Sequence, residues 1–209
     1  PPRSTLFPYT TLFRSLDLAQ GLTSYDVTWG AQRLPVAGRE QWGKADLIRG
    51  YAGNLYVVDT KANQIWRYRP GDTGYENTPE PYFATGSAVD LAGVQSMSID
   101  GDIWLLYTDG RLLDFNAGAQ RPFELKGAPD AFSVPTSVVA PLEGDSLYIA
   151  DAGTGRILEF TKDGQFQRQF RPAEGDALNG VRDMYLDETN GTFYVVTDNG
   201  IYKADLPES

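Results

Sequence analysis

The sequence predicts an all-β fold, a β-propeller built from four-stranded blades. Three observations carry this: a composition suited to strands and turns, a two-anchor repeat of about 46 residues, and the polarity pattern inside each repeat. The 209 residues include 22 Gly, 13 Pro, 12 Tyr, 10 Phe and 4 Trp, which favour turns and pleated strands over helices. Hydrophobic residues at 41% and charged residues at 22% belong to a chain that packs a core.

The repeat is read from four segments, GNLYVVDT (Gly53–Thr60), GDIWLLYT (Gly101–Thr108), GDSLYIADA (Gly144–Ala152) and GTFYVVTD (Gly191–Asp198). Their aromatic anchors Tyr56, Trp104, Tyr148 and Tyr194 recur at intervals of 48, 44 and 46 residues. A second strand follows each after a polar turn, led by Ile65, Leu112, Ile157 and Ile201 at intervals of 47, 45 and 44. Each unit also has a strand before its first anchor (ADLIRGY, VQSMSIDG, TSVVAPLEG, VRDMYLDETNG). Weaker outer strands such as EPYFATG, RPFELKG and QRQFRP follow. The apolar runs LYVV, IWLL, LYIA and FYVV suit strands buried on both faces between neighbouring sheets. Asp109-Gly110, Asp163-Gly164, Asn190-Gly191 and Asn199-Gly200 fall where tight hairpins need positive φ. A β-sandwich would also show short strands, but it gives no reason for two anchors in one register across four units.

Blades are expected at about 45–90, 91–132, 133–177 and 178–209. Residues 16–44, including YDVTWGAQ, read as the outer two strands of a truncated blade. About four and a half blades are then present and the ring is incomplete, which leaves an unpaired edge and an uncovered apolar face. The first 15 residues stand apart. Reverse-translated, TLFPYTTLFRS (Thr5–Ser15) is similar, residue for residue, to one reading frame of a common sequencing adapter. Residues 1–15 are therefore expected to be non-native and without function, either disordered or an edge strand.

Composition narrows the chemistry. A net charge of −10 argues against a nucleic-acid partner. There is no Cys and no His, which removes thiol, Ser-His-Asp and Cys-His catalysis and the commonest transition-metal ligand. Any metal would need oxygen donors, so Ca²⁺ is the cation to test, and no resident cofactor is expected. No run is long enough for a transmembrane helix, so no membrane insertion by these residues is expected.

The segment Val134–Phe170 resembles an NHL-type repeat through Pro135, Gly144, Leu147-Tyr148-Ile149-Ala150-Asp151, Gly153, Arg156-Ile157, Phe160 and Asp163-Gly164. LYVVDTKANQIWRY in the first unit matches in part, whereas Tyr107 and Thr197 replace the Asp in the second and fourth. The resemblance implies a propeller and no particular activity. Similar propellers sit at the C-terminal end of membrane-tethered bacterial proteins, some with an upstream PPM-type phosphatase domain. The resemblance thus implies a fragment of a larger protein in an extracytoplasmic or membrane-tethered setting, with at least one more blade upstream of Leu16.

On the propeller plan, the turns between second and third strands share one face around the channel. Asp59, Asp109, Asp151 and Asp198 are then candidates for a carboxylate ring that binds a cation or polar ligand. The competing role is that each Asp accepts backbone N–H groups of its own turn, which such turns need in any case. Arg156 is a candidate for anionic ligands, or for pairing with a blade carboxylate. No catalytic residue is identified. The expected function is a non-catalytic module that binds a protein or small polar ligand. The alternative is a metal-dependent hydrolase similar to the gluconolactonase-like propellers, against which no Glu/Asn/Asp set stands at matching points of separate blades.

Overall fold

The computed structural model describes residues 13–17, 21–26 and 30–206, so most of the adapter-like stretch lies outside the described residues. All regular structure there is antiparallel sheet apart from one 3₁₀ turn, Arg39–Gln41. The chain divides into two compact units, one up to Ala92 and one from Gly93.

The first unit opens with β1 (Phe13–Asp17), β2 (Gly21–Asp26) and β3 (Gly30–Leu34), which form a three-stranded sheet in chain order. The half-blade expected over residues 16–44 is thus a sheet of its own. Pairing of β1 with β2, from Phe13 opposite Tyr25 to Asp17 opposite Gly21, supplies a partner that a search for anchors does not see. The first blade follows: β4 (Ala45–Tyr51), β5 (Asn54–Asp59), β6 (Gln64–Tyr68) and β7 (Glu80–Pro81). Its core joins Leu55, Val57, Tyr68 and Tyr75 to the half-buried Leu34, Val36, Trp42 and Trp66. Trp42 Nε1 donates to Tyr68 Oη at 2.8 Å.

The second unit holds the other three blades. They are β8 (Val94–Ile99), β9 (Ile103–Tyr107), β10 (Leu112–Asn116) and β11 (Ala119–Arg121); β12 (Pro135–Val139), β13 (Ser146–Asp151), β14 (Arg156–Thr161) and β15 (Phe166–Phe170); and β16 (Val181–Asp187), β17 (Thr192–Thr197) and β18 (Gly200–Asp205). The last sheet has three strands among the described residues. The blades pack face to face. Trp104, Leu106 and Leu112 of the second blade meet Val138, Leu147, Ile149 and Phe160 of the third. Tyr148, Ala150 and Ile157 of the third meet Met184, Leu186, Phe193 and Val195 of the fourth. This explains the wholly apolar second strands, since every residue of β9 is buried.

A device invisible in the repeat search links sheets within each unit. Val36 pairs in parallel with Tyr75, and Lys126 pairs in parallel with Gln165. Each pairing lets the segment leading into a blade hold that blade's outer turn, nine residues ahead of its first strand, as Ala37 N donates to Tyr75 O and Lys126 N to Gly164 O.

The fold is therefore the predicted one, an all-β propeller, with one blade from β4 onward in the first unit and three in the second among the described residues.

Candidate functional site

Each first strand of a blade begins with an apolar residue followed by a polar one: Ala45-Asp46, Val94-Gln95, Pro135-Thr136 and Val181-Arg182. In all four blades the register slips at that second residue, so Asp46, Gln95, Thr136 and Arg182 sit in a β-bulge at the same place. A bulge at one place in every unit re-aims a side chain and marks a designed position. The sequence carries this signal as a polar residue after a buried one, but pattern counting alone did not pick it out.

In the second unit the first strands lie side by side, and serines tie them together. Ser96 Oγ accepts from Val138 N at 3.2 Å, and Ser98 Oγ accepts from Ala140 N at 2.9 Å. Ser137 Oγ donates to Asp183 Oδ1 at 2.7 Å and accepts from Met184 N at 3.3 Å. The bulged ends of β8, β12 and β16 thus present Gln95, Thr136 and Arg182 together with Asp183. Thr136 Oγ1 is buried with no hydrogen-bond partner among the described residues. These groups can hydrogen-bond a polar ligand or peptide; none is arranged as a nucleophile with a base.

The candidate carboxylates fall into two kinds. Asp59 and Asp151 are fully buried. Asp59 accepts from the N–H groups of Gly43 (2.7 Å), Lys44 (2.9 Å) and Ala62 (3.0 Å), and from Trp66 Nε1 (3.3 Å). Burial works against its charge, but the N–H donors of Ala62, Lys44 and Gly43, with Trp66, outweigh burial and hold its carboxyl below the usual aspartate value. Asp151 accepts from Val134 N at 2.8 Å, Ser133 N at 3.1 Å and Thr154 Oγ1 at 2.7 Å. In both, the second strand's last residue clamps the chain entering its own blade.

Asp109 and Asp198 are exposed and paired instead. Asp109 accepts from Arg111 Nε at 2.7 Å, which holds its carboxyl below the usual value. Arg182 Nε donates to Asp198 Oδ1. Arg156, the cationic candidate, is fully buried; it donates to Asp151 Oδ2 at 3.3 Å and to the carbonyls of Ala131 (3.1 Å) and Asp130 (3.4 Å).

Elsewhere on the second blade, Asp100, Asp102 and Asp114 stand near two cations. Lys162 Nζ lies 2.7 Å from Asp100, and Arg121 Nε lies 2.7 Å from Asp114 while its Nη2 reaches Asp102. Burial raises the Asp114 carboxyl above its usual value despite Arg121. Among the described residues no group of three or more acidic side chains is placed to hold a metal ion.

These blades and bulged first strands define a β-propeller protein. No protein-family model matches the chain, and neither does any curated protein by sequence. Solved structures do match in fold. A streptogramin B lyase is 16% identical with a TM-score of 0.50, over 91% of this chain and 63% of that one. A gluconolactonase from Xanthomonas campestris is 13% identical with a TM-score of 0.60, over 90% of this chain and 66% of that one. The chain thus spans under two thirds of the length of either.

Proposed function

We propose that this chain is part of a non-catalytic β-propeller module that binds a protein or a small polar ligand within a larger bacterial protein. The observation that supports the reading is how the polar inventory is spent. Asp59, Asp151 and Arg156, the charged groups most like a site in the sequence, are buried and fully engaged in closing their own blades. Buried ionic groups satisfied this way specify local structure and offer no lone pair to a substrate. At the bulged strand ends Gln95, Arg182 and Asp183 are exposed, and the recognition role is assigned to that end of the blades. A membrane-tethered or extracytoplasmic setting belongs to the same proposal and rests on the NHL-type resemblance alone.

Calorimetry with CaCl₂, run beside a lactone hydrolysis assay, tests the reading. The expected outcome is no saturable heat at millimolar Ca²⁺ and no turnover. Saturable binding accompanied by Ca²⁺-dependent hydrolysis would establish the gluconolactonase-like alternative instead.

A further inference from the structure

We infer that the cleft between the third and fourth blades, at the end of the strands away from the bulges, binds the ammonium group of a lysine side chain presented by a partner protein. The inference rests on the reading of the chain as a binding module and adds to it one site and the chemistry that site takes. The seam between the second and third blades shows how such a slot is filled. Lys162 directly follows β14. Its ammonium Nζ donates to the Pro141 carbonyl at 2.8 Å and lies 2.7 Å from Asp100 Oδ2 of the second blade. Those two blades therefore meet around a cation taken from the chain itself.

The next seam follows the same plan with a different residue at the key position. Leu206 follows β18 as Lys162 follows β14, and one backbone bond marks the equivalence: Lys162 N donates to Asp145 O at 2.8 Å, and Leu206 N donates to Gly191 O at 2.7 Å. Leucine supplies no ammonium. An opening of about 190 Å³ lies at this place, and its walls include Pro141, Glu143 and Tyr148 of the third blade and Leu186, Glu188 and Leu206 of the fourth. Small-molecule pockets begin at roughly 300 Å³, so the cleft takes one side chain rather than a whole ligand.

The walls suit lysine along its length. Pro141, Tyr148 and Leu186 are buried and give its methylene stem an apolar surface to lie on. Glu188 accepts from Leu142 N at 2.9 Å and Glu143 N at 3.0 Å, which ties this loop of the third blade to the fourth and holds the cleft in shape. A carboxylate has about four acceptor sites, so Glu188 can still receive a further donor. Among the described residues the Glu143 carboxylate has no cationic or hydrogen-bonding partner. An ammonium answers that charge, whereas a neutral donor does not. A protein is the better source than a free amine, because Leu142, between two residues of the wall, is 55% exposed and offers apolar contact beside the cleft. The net charge of −10 also draws cationic partners towards the chain.

NMR titration of the isotope-labelled chain with the peptide acetyl-Ala-Leu-Lys-Ala-amide tests the site, read at the backbone amides of Leu142, Glu143 and Glu188. The expected result is saturable shifts at millimolar peptide, and none when the peptide's lysine is acetylated. Glu143→Gln is expected to weaken binding roughly three-fold, the loss of one exposed ion pair, without moving the melting temperature. Leu206→Lys gives a sharper reading, because it tethers an ammonium where the preceding seam has Lys162. Binding is then lost, and the melting temperature holds or rises. No saturable shift with the lysine peptide overturns the inference, as does a Leu206→Lys chain that binds as well as the original. Binding of n-butylamine as tight as that of the peptide also overturns it, because a free amine is then the occupant. None of these outcomes touches Ca²⁺ binding or lactone turnover, so failure of the site stays distinct from failure of the binding-module reading.

Discussion

At the scale of single residues, the chemistry of Asp59 decides a question that its position leaves open. An aspartate in a propeller turn is a ligand when its oxygens face the channel and a clamp when N–H groups surround it. Four donors surround Asp59. In Asp59→Asn one oxygen becomes an NH₂ group, which then faces N–H donors it cannot satisfy. The expected loss is about 1–3 kcal/mol in urea unfolding at neutral pH, the usual cost of stranding buried donors. The pH dependence has a definite sign. The folded carboxyl titrates below its ordinary 3.8, so its stabilisation is complete above that value and is lost as pH falls through the lower folded value. Urea midpoints from pH 7 to pH 2 should show the wild type losing more stability on the acid side than Asp59→Asn does. Asp114 works in the opposite sense: burial raises its folded value, so ionisation costs stability as pH rises through it.

At the scale of elements, the parallel pairing between a leading segment and a blade's outer turn constrains one glycine severely. Gly164 has φ +90°, and a Cβ there would lie 2.1 Å from the Glu124 carbonyl oxygen. Gly144 has a similar φ of +79°, with nothing within 4 Å of its Cβ position. Gly164→Ala should therefore cost clearly more than Gly144→Ala. The second carries only the left-handed backbone penalty of about 1–2 kcal/mol, and the first adds disruption of the Lys126–Gln165 pairing. Urea midpoints of the two variants check the order, and equal losses would contradict the role given to the linking segment. The two positions look alike in sequence, since both follow an acidic residue or precede one in a turn. Only the approach of a strand from another part of the chain separates them.

At the scale of the whole molecule, the uneven burial of the second strands is the decisive fact. β9 and the corresponding strands of the first and third blades are buried almost throughout, while β17 leaves Val196 partly exposed. The residue class is the same and the surroundings differ. Exposed Val196 and Ile201 should bind a hydrophobic reporter dye, so the double substitution Val196→Ser/Ile201→Ser is expected to reduce dye fluorescence several-fold without lowering the thermal midpoint. Each side chain leaves water only when a neighbour covers it, and uncovered it contributes little of the roughly 1.5–3 kcal/mol that burial brings. A fall in midpoint like that of a core substitution would show the face to be packed after all.

The sequence by itself determined the fold class and the hairpin turns. These depend on alternation, apolar runs and glycine conformations that are local, or that repeat at a fixed period: Gly110 and Gly164 do take positive φ where Asp-Gly pairs predicted it. The tertiary structure alone decided what the charged candidates do. Asp59 and Asp151 end their second strands and are buried clamps, whereas Asp109 and Asp198 lie just past the equivalent strand ends Tyr107 and Thr197 and are exposed partners of Arg111 and Arg182. The difference comes from backbone N–H groups brought in from the segment before each blade, 15 to 18 residues away. The serine ties between first strands likewise span 42 to 47 residues. Local pattern fixes where a strand runs, but the partner of a polar atom is set by the chain that folds against it.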